Sequence, residues 1–133
     1  MKDTIRIGMT AQITFRVERP YTIDFAGAGM PEVLSTPALI NFMERTARLA
    51  LRPALEDGES SVGMELEIRH LAPTPPGHTV TCTARVIHAE DKIVTLQVEA
   101  SDETELIARC MHKRAIINKE RFAGKVDRKK KNG

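Results

Sequence analysis

The stretch that decides the fold is STPALINFMERTARLALRPAL, residues 35–55. Thr36 followed by Pro37 is a helix-start signal: a hydroxyl at the N-cap, then a proline at the first helical position, where its missing N–H costs nothing. Apolar side chains cover several faces of the helix that follows, so we expect other elements to cover it on most sides. These side chains belong to Leu39, Ile40, Phe42, Met43, Ala47, Ala50 and Leu51.

Segments of alternating apolar and polar residues surround this helix. One precedes it and four follow, separated by a Pro-Pro-Gly corner and by short breaks that are typical of hairpin turns. One long helix after the first strand, then four strands in succession, is an α+β pattern. We therefore predict a curled antiparallel sheet wrapped around one central helix. The predicted strands span residues 11–19, 61–71, 79–88, 93–100 and 105–118.

Length and composition indicate a single globular domain. The chain has 133 residues, of which 41% are hydrophobic and 29% charged. No apolar run approaches the roughly 18 residues of a membrane span, and the N-terminus lacks the apolar region of a secretory signal. Cys82 and Cys110 fall in strand-like segments without a CxxC motif, so we expect reduced packing thiols. These features predict a cytoplasmic protein with no membrane partner.

The charge is uneven along the chain. Residues 119–133 contain seven Lys/Arg and two Asp/Glu, a balance of +5. Because the whole chain carries +2, residues 1–118 carry −3. The basic end has no interleaved aromatic residues and no folded platform for bases, so nucleic-acid binding is not expected. We predict one domain over residues 1–126 and a basic, disordered tail over 127–133.

Three residues in or near the deciding stretch carry the kinds of group that donate, accept and relay protons. They are Thr36, Glu44 and His70. Taken alone, Glu44 is better explained as a surface carboxylate paired with Arg48 at i+4, a pairing that contributes a few tenths of a kcal/mol. The alternative is a carboxylate at the edge of a pocket, where it serves as a base or nucleophile.

Thr36 and His70 also have ordinary explanations. Helix capping accounts for a Thr before Pro, although a helix start also stabilises developing negative charge. A lone histidine in a strand is more often structural than catalytic. Thr36 and Glu44 lie about 12 Å apart along a helix axis, since each residue rises 1.5 Å. If they share a site, either the substrate spans the gap or a second subunit supplies one of the groups.

Other motifs are excluded by spacing. No His, Cys or carboxylate pair has metal-ligand spacing such as HxxxH, so we predict no metal site. There is no GxSxG motif, and FAGAGMP (residues 25–31) matches no phosphate-binding fingerprint. His112 alternates with Cys110 and Arg114 on one face of the last strand, without further signal.

Three segments of the sequence match the pattern of a known protein family. They are VLSTPALINFMERTA (33–47), SSVGMELEIRHLAPTPPGHTVTCTA (60–84) and MHKRAIINKERFAGKV (111–126). Together they resemble the fluoroacetyl-CoA thioesterase family of hotdog-fold proteins, over residues 31–126. The most specific parts of the resemblance are the His-x-x-x-Thr-Pro-Pro-Gly string and the Thr-x7-Glu spacing.

The resemblance implies a function and a set of site residues. By position, the family's catalytic threonine, glutamate and histidine fall on Thr36, Glu44 and His70. Its pocket glycine matches Gly63, and an arginine that lines its acyl site matches Arg114. The implied reaction is hydrolysis of a short- or medium-chain acyl-CoA without any cofactor, CoA being part of the substrate. Hotdog thioesterases form dimers through edge strands, with the active sites at the interface, so we expect a homodimer or a tetramer.

One segment departs from the family pattern. Between the first strand and the helix the family carries a longer, Phe-containing lid, whereas this chain has only DFAGAGMPEV (24–33), with Phe25 alone. The departure favours an ordinary acyl-CoA over fluoroacetyl-CoA. Two other functions stay open on the same scaffold: a non-catalytic module that binds an acyl thioester, and a hydratase or dehydratase. The joint presence of Thr36, Glu44 and His70 favours the hydrolase.

Overall fold

The computed structural model describes residues 7–23 and 29–132, and its elements follow the predicted order. Strand β1 precedes two short strands, β2 and β3, which lead into the long helix α1. Four long strands and a C-terminal helix follow. The bounds are β1 Thr10–Arg16, β2 Thr22–Ile23, β3 Val33–Leu34, α1 Thr36–Leu51, β4 Glu59–His70, β5 Thr79–Glu90, β6 Ile93–Ser101, β7 Leu106–Asn118 and α2 Lys119–Asn132, with short 3₁₀ turns at Arg19–Tyr21 and Arg52–Ala54.

The five long strands form one antiparallel sheet in the order β1-β5-β6-β7-β4. The predicted hairpins join β5 to β6 and β6 to β7. The tighter one turns at Asp91 and Lys92, which both have positive φ, as a two-residue turn matching the twist of the strands requires. The strands β2 and β3 pair with each other as a separate small sheet. The strand β4 therefore lies at one edge of the large sheet and β1 at the other.

Helix α1 packs on the inner face of the sheet, and the core lies between them. Alternate side chains of β5 and β6 are fully buried beneath the helix, as their period-two pattern predicts. At the β1 end, Phe15 stacks on Phe42 with ring centroids 3.7 Å apart, and Tyr21 packs edge-on against both rings. This sheet wrapped around one helix confirms the predicted α+β architecture.

The start of α1 differs from the prediction by one residue. Ser35, not Thr36, is the N-cap, because its hydroxyl accepts a hydrogen bond from the backbone N–H of Ala38 at 3.2 Å. Thr36 is the first residue of the helix and Pro37 the second, where the absent N–H still costs nothing. The Thr36 hydroxyl is therefore available for another partner.

The C-terminal end also differs from the prediction. Residues Lys119–Asn132 form α2, where the sequence suggested a disordered tail from residue 127. The side chain of Asn118 accepts a hydrogen bond from the backbone N–H of Arg121 at 3.0 Å, as a helix cap does. The Lys, Arg and Glu residues that follow are good helix formers. The prediction of a disordered tail considered their charge and not this helix propensity. No residue of α2 is buried, and the domain boundary at residue 126 stays a prediction.

Candidate active site

Two of the predicted site residues meet where α1 begins and β4 ends. Thr36 is the first residue of the helix and His70 the last of the strand. The Oγ1 atom of Thr36 lies 2.8 Å from Nδ1 of His70, a short hydrogen bond between partly buried side chains. This pairing joins two positions that are 34 residues apart in sequence.

The His70 ring is set up to stay neutral. Burial lowers its pKa, because a charged imidazole loses hydration there. The Nε2 atom is buried and has no hydrogen-bond partner among the residues that the structure describes. When the Thr36 hydroxyl donates to Nδ1, the ring proton is on Nε2, which leaves a buried N–H ready for a group outside this chain.

A cavity of about 330 Å³ opens beside this pair. Apart from Thr36 and His70 its lining is apolar, as is usual for a pocket in which a few polar groups orient a ligand. Two of the lining residues, Ile23 and Leu71, are large apolar residues that stay 38% and 52% exposed. The other lining residues are Val33, Leu34, Ala72 and Pro73.

Glu44 lies in a second cluster. Its Oε2 atom is 3.5 Å from Nη1 of Arg114 and 3.9 Å from Nε2 of His112. The carboxylate thus pairs with β7, not with Arg48 one turn along the helix as its ordinary explanation supposed. The Glu44 side chain is 42% exposed, so the carboxylate lies at the rim of the domain.

Gly63 makes room for this carboxylate. A Cβ atom at Gly63 would lie 2.6 Å from Oε2 of Glu44 and 3.3 Å from the His112 ring, so no larger residue fits without movement. The pairing of β4 with β7 shifts register directly after Gly63, which marks a bulge. Bulges re-aim side chains and backbone groups, and they are frequent beside active sites.

Arg114 is held by two residues that the sequence did not single out as site residues. Its Nε donates to the Ser61 hydroxyl and its Nη2 to the Ser61 carbonyl, both at 2.9 Å. Its Nη1 donates to Nε2 of His112 at 3.1 Å. Burial lowers the Arg114 pKa, and the negative charge of Glu44 opposes that shift. The only sequence signal for His112 was its place on the same strand face as Arg114.

One chain therefore holds the five predicted residues as two groups. Thr36 and His70 form one group, while Glu44, Gly63 and Arg114 form the other. Along β4, Gly63 and His70 are seven residues apart, or about 23 Å at 3.3 Å per residue. The structure brings residues together within each group but not the catalytic trio as a whole.

Within residues 7–23 and 29–132, no three His, Cys, Asp or Glu side chains cluster closely enough to hold a metal ion. In the same part of the chain, no helix is both long and apolar enough to span a membrane. The predictions that the protein needs no cofactor and is cytoplasmic rest on the sequence.

Comparison with known proteins shows the family of this chain. The profile of the fluoroacetyl-CoA-specific thioesterase family matches residues 17–120. The fluoroacetyl-CoA thioesterase of Streptantibioticus cattleyicolor is 36% identical over 137 residues, covering 97% of each chain. The chain belongs to this family. It is accordingly a thioester hydrolase of the hotdog fold.

Solved structures of related proteins superpose closely on this chain. A fluoroacetyl-CoA thioesterase variant in complex with acetyl-CoA is 34% identical, with a TM-score of 0.85 over 94% of this chain and 98% of that one. A thioesterase superfamily member from Thermus thermophilus is 31% identical, with a TM-score of 0.89 over 98% of this chain and 96% of the other. The hotdog prediction is confirmed.

Proposed function

We propose that the protein hydrolyses a short- or medium-chain acyl-CoA to the free acid and CoA. The observation that carries the proposal is the 2.8 Å hydrogen bond between Thr36 and a neutral His70 at the mouth of an apolar cavity. Such a cavity suits the acyl chain, and the polar pair suits the thioester carbonyl. A related variant solved in complex with acetyl-CoA supports this assignment.

Glu44 provides the chemical step in this proposal. Its carboxylate either takes a proton from the water that attacks the thioester carbonyl, or attacks the carbonyl itself and forms a mixed anhydride that water then hydrolyses. The backbone N–H of Gly63 donates a hydrogen bond to the oxyanion that forms, while the Thr36 hydroxyl donates to Nδ1 and orients the His70 ring. The carbon–sulfur bond then breaks, the Nε2–H of His70 donates a hydrogen bond to the departing thiolate, and the thiolate takes up the proton that Glu44 removes from the water. Arg114 lines the acyl site and keeps a positive charge beside Glu44.

A homodimer would complete the site. In the described chain β4 pairs with β7 along one side only, and it carries both Gly63 and His70. In an antiparallel pair of two β4 strands, two-fold symmetry turns the Gly63 region of one copy toward the His70 end of the other. Glu44 of one subunit then acts with Thr36 and His70 of its partner, and tetramers can form from such dimers. CoA is part of the substrate, so no resident cofactor is proposed.

The acyl group in this proposal is an ordinary one, without fluorine. A relative that covers 97% of this chain is named for fluoroacetyl-CoA. Of the segment that distinguished this chain in sequence, residues 24–33, the part with Phe25 (24–28) lies outside the described residues. The proposal therefore rests on the short, Gly-rich sequence of that segment and on the modest apolar cavity beside Thr36.

We keep the cytoplasm as the proposed location. Cys82 and Cys110 are buried and form no disulfide. Burial raises the pKa of the Cys82 thiol to about 12 and that of Cys110 to about 11, so both stay protonated and unreactive at neutral pH. Free, inert thiols suit a reducing compartment.

Release of free thiol from acyl-CoAs of increasing chain length tests the function. We expect the wild type to release CoA from acetyl-CoA and short homologues, and Glu44→Gln and His70→Ala to be much slower. His88→Ala is the matched control, because His88 is exposed on another strand and should keep wild-type rates. A wild type that binds acyl-CoA but releases none would make the protein a binding module. Active Glu44→Gln and His70→Ala variants would overturn the site assignment.

A further inference from the structure

Fixed partners assign both ring nitrogens of His112. Nδ1 lies 3.0 Å from the backbone carbonyl oxygen of Glu65, which can only accept a hydrogen bond. Nδ1 therefore carries the proton. Nε2 lies 3.1 Å from Nη1 of Arg114, which can only donate, so Nε2 offers its lone pair. Both contacts are satisfied by one neutral tautomer and by no other protonation state.

The surroundings of His112 favour that neutral form. Its side chain is only 2% exposed, and burial lowers its pKa more than any other influence. The positive charge of Arg114, on the same strand, lowers the pKa further, while the Glu65 carbonyl on β4 and the Glu44 carboxylate on α1 oppose these effects. The carboxylate of Glu65 is engaged elsewhere, with Lys113 at 3.5 Å. From α1, the positive Arg48 also acts on Arg114.

Three hydrogen bonds fix the Arg114 guanidinium, and they engage different nitrogens of the group. The two bonds to Ser61 hold Nε and Nη2, on the side away from Glu44. The bond to His112 holds Nη1, which is also the nitrogen 3.5 Å from Oε2 of Glu44. Without an acceptor at the position of Nε2, a buried Nη1 N–H is left unpaired, and the guanidinium must shift to satisfy it.

We propose that His112 is a positioning residue for thioester hydrolysis: its neutral ring fixes Arg114, and Arg114 in turn holds the Glu44 carboxylate beside Gly63. The inference rests on the proposed function, in which Glu44 is the reacting carboxylate. It gives a role to a buried histidine that the reaction does not otherwise use. His112 acts through Arg114 and does not touch the substrate.

Protonation of His112 would undo this arrangement. A second ring proton turns Nε2 into a donor that faces the Nη1 N–H groups at 3.1 Å, and it places two positive charges side by side. Arg114 must then move away, and Glu44 exchanges the guanidinium for the charged Nε2–H of His112, 3.9 Å from its Oε2. Because burial lowers the His112 pKa from the ordinary 6.5, this loss of activity begins only on the acid side of that value.

Two substitutions separate positioning from mere packing. His112→Leu fills the space without an acceptor, whereas His112→Gln keeps an amide oxygen that can accept from Nη1 and does not titrate. We expect His112→Leu to lower kcat about 100-fold, the effect of a misplaced group, with KM little changed. His112→Gln should recover most of kcat. On the acid side of its pH–rate profile, the slope of log kcat against pH should show one fewer titrating proton than in the wild type. His88→Gln, on an exposed histidine, is the control for the substitution itself.

Several results would overturn the inference. One is a wild-type kcat in His112→Leu. Another is a His112→Gln variant that is as slow as His112→Leu although the two have the same Tm. A third is a His112→Gln variant whose kcat depends on acidic pH as that of the wild type does. The ¹⁵N spectrum of the histidine side chains gives a readout independent of activity, and an Nε2–H tautomer at His112 would also contradict the inference. A wild type that hydrolyses no acyl-CoA would instead overturn the proposed function.

Discussion

At the scale of single residues, the space at Gly63 is the most constrained feature of the site. The missing side chain leaves room for one carboxylate oxygen, and the bulge that follows turns the backbone beside it. A carboxylate held at such a position is close to the backbone N–H that the proposed reaction uses. Precise placement matters there, because a shift of about 1 Å can lower a rate 100-fold.

Gly63→Ala should therefore reduce activity far more than stability. Its Cβ would displace Oε2 of Glu44, the far end of a flexible side chain, so the fold can adjust at little cost. We expect kcat to fall about 100-fold while Tm changes by only a few degrees. Gly124→Ala is the control, because its Cβ would meet only the Arg128 side chain at an ordinary 3.7 Å. Unchanged hydrolysis in Gly63→Ala would place the reacting carboxylate elsewhere.

The sequence singles out candidate residues where a motif covers them and not where only tertiary contacts do. The trio could be named because Thr36 and Glu44 lie in one helix and His70 precedes a Pro-Pro-Gly corner. Their division into two groups could not, since it depends on how β4 crosses the helix. His112 and Ser61 carry no motif, and only their contacts with Arg114 single them out.

At the scale of elements, α1 and α2 differ in what holds them. Helix α1 is buried on the sheet, and its apolar pattern was enough to predict it. Helix α2 has no buried residue and keeps two apolar side chains, Phe122 and Val126, about 40% exposed. The helix propensity of its residues and the Asn118 cap stabilise α2. Neither can be seen from the net charge, on which the prediction of a disordered tail was based.

Removal of α2 by truncation after Asn118 should leave the stability of the rest nearly unchanged. No side chain of α2 is buried, so little apolar surface is lost from the fold. We expect the free energy of unfolding in urea to change by less than about 1 kcal/mol. Leu39→Ala, which empties a fully buried position in α1, should cost about 2–5 kcal/mol in the same measurement. A truncated chain that unfolds without denaturant would contradict this account of α2.

At the scale of the whole molecule, two partly or fully buried histidines couple folding to pH. Burial lowers the pKa of both His70 and His112 below the ordinary 6.5 that the unfolded chain retains. Below pH 6.5 the unfolded chain binds protons that the folded chain does not. The free energy of unfolding therefore decreases as the pH decreases. The contribution is fully present above 6.5 and is lost as pH falls through the lowered pKa values.

The free energy of unfolding, measured in urea between pH 7.5 and 5, should therefore decrease steadily on the acid side of about 6.5. His112→Gln removes one of the two groups and should make the decrease shallower. His88→Gln, at an exposed position, is the control for the substitution itself. A stability that rises as the pH falls through this range would show that the buried rings are charged in the folded protein.

The assembly of the site across two subunits is the central claim, and mixing two inactive variants tests it most directly. Glu44→Gln and His70→Ala homodimers are each defective at both sites. In a mixed dimer one site carries both substitutions, and the other is intact if its Glu44 and His70 come from different subunits. After denaturation and refolding of an equal mixture, we expect about a quarter of the wild-type rate, since half of the dimers are mixed and each has one intact site. A mixture no faster than the separate variants would contradict the claim.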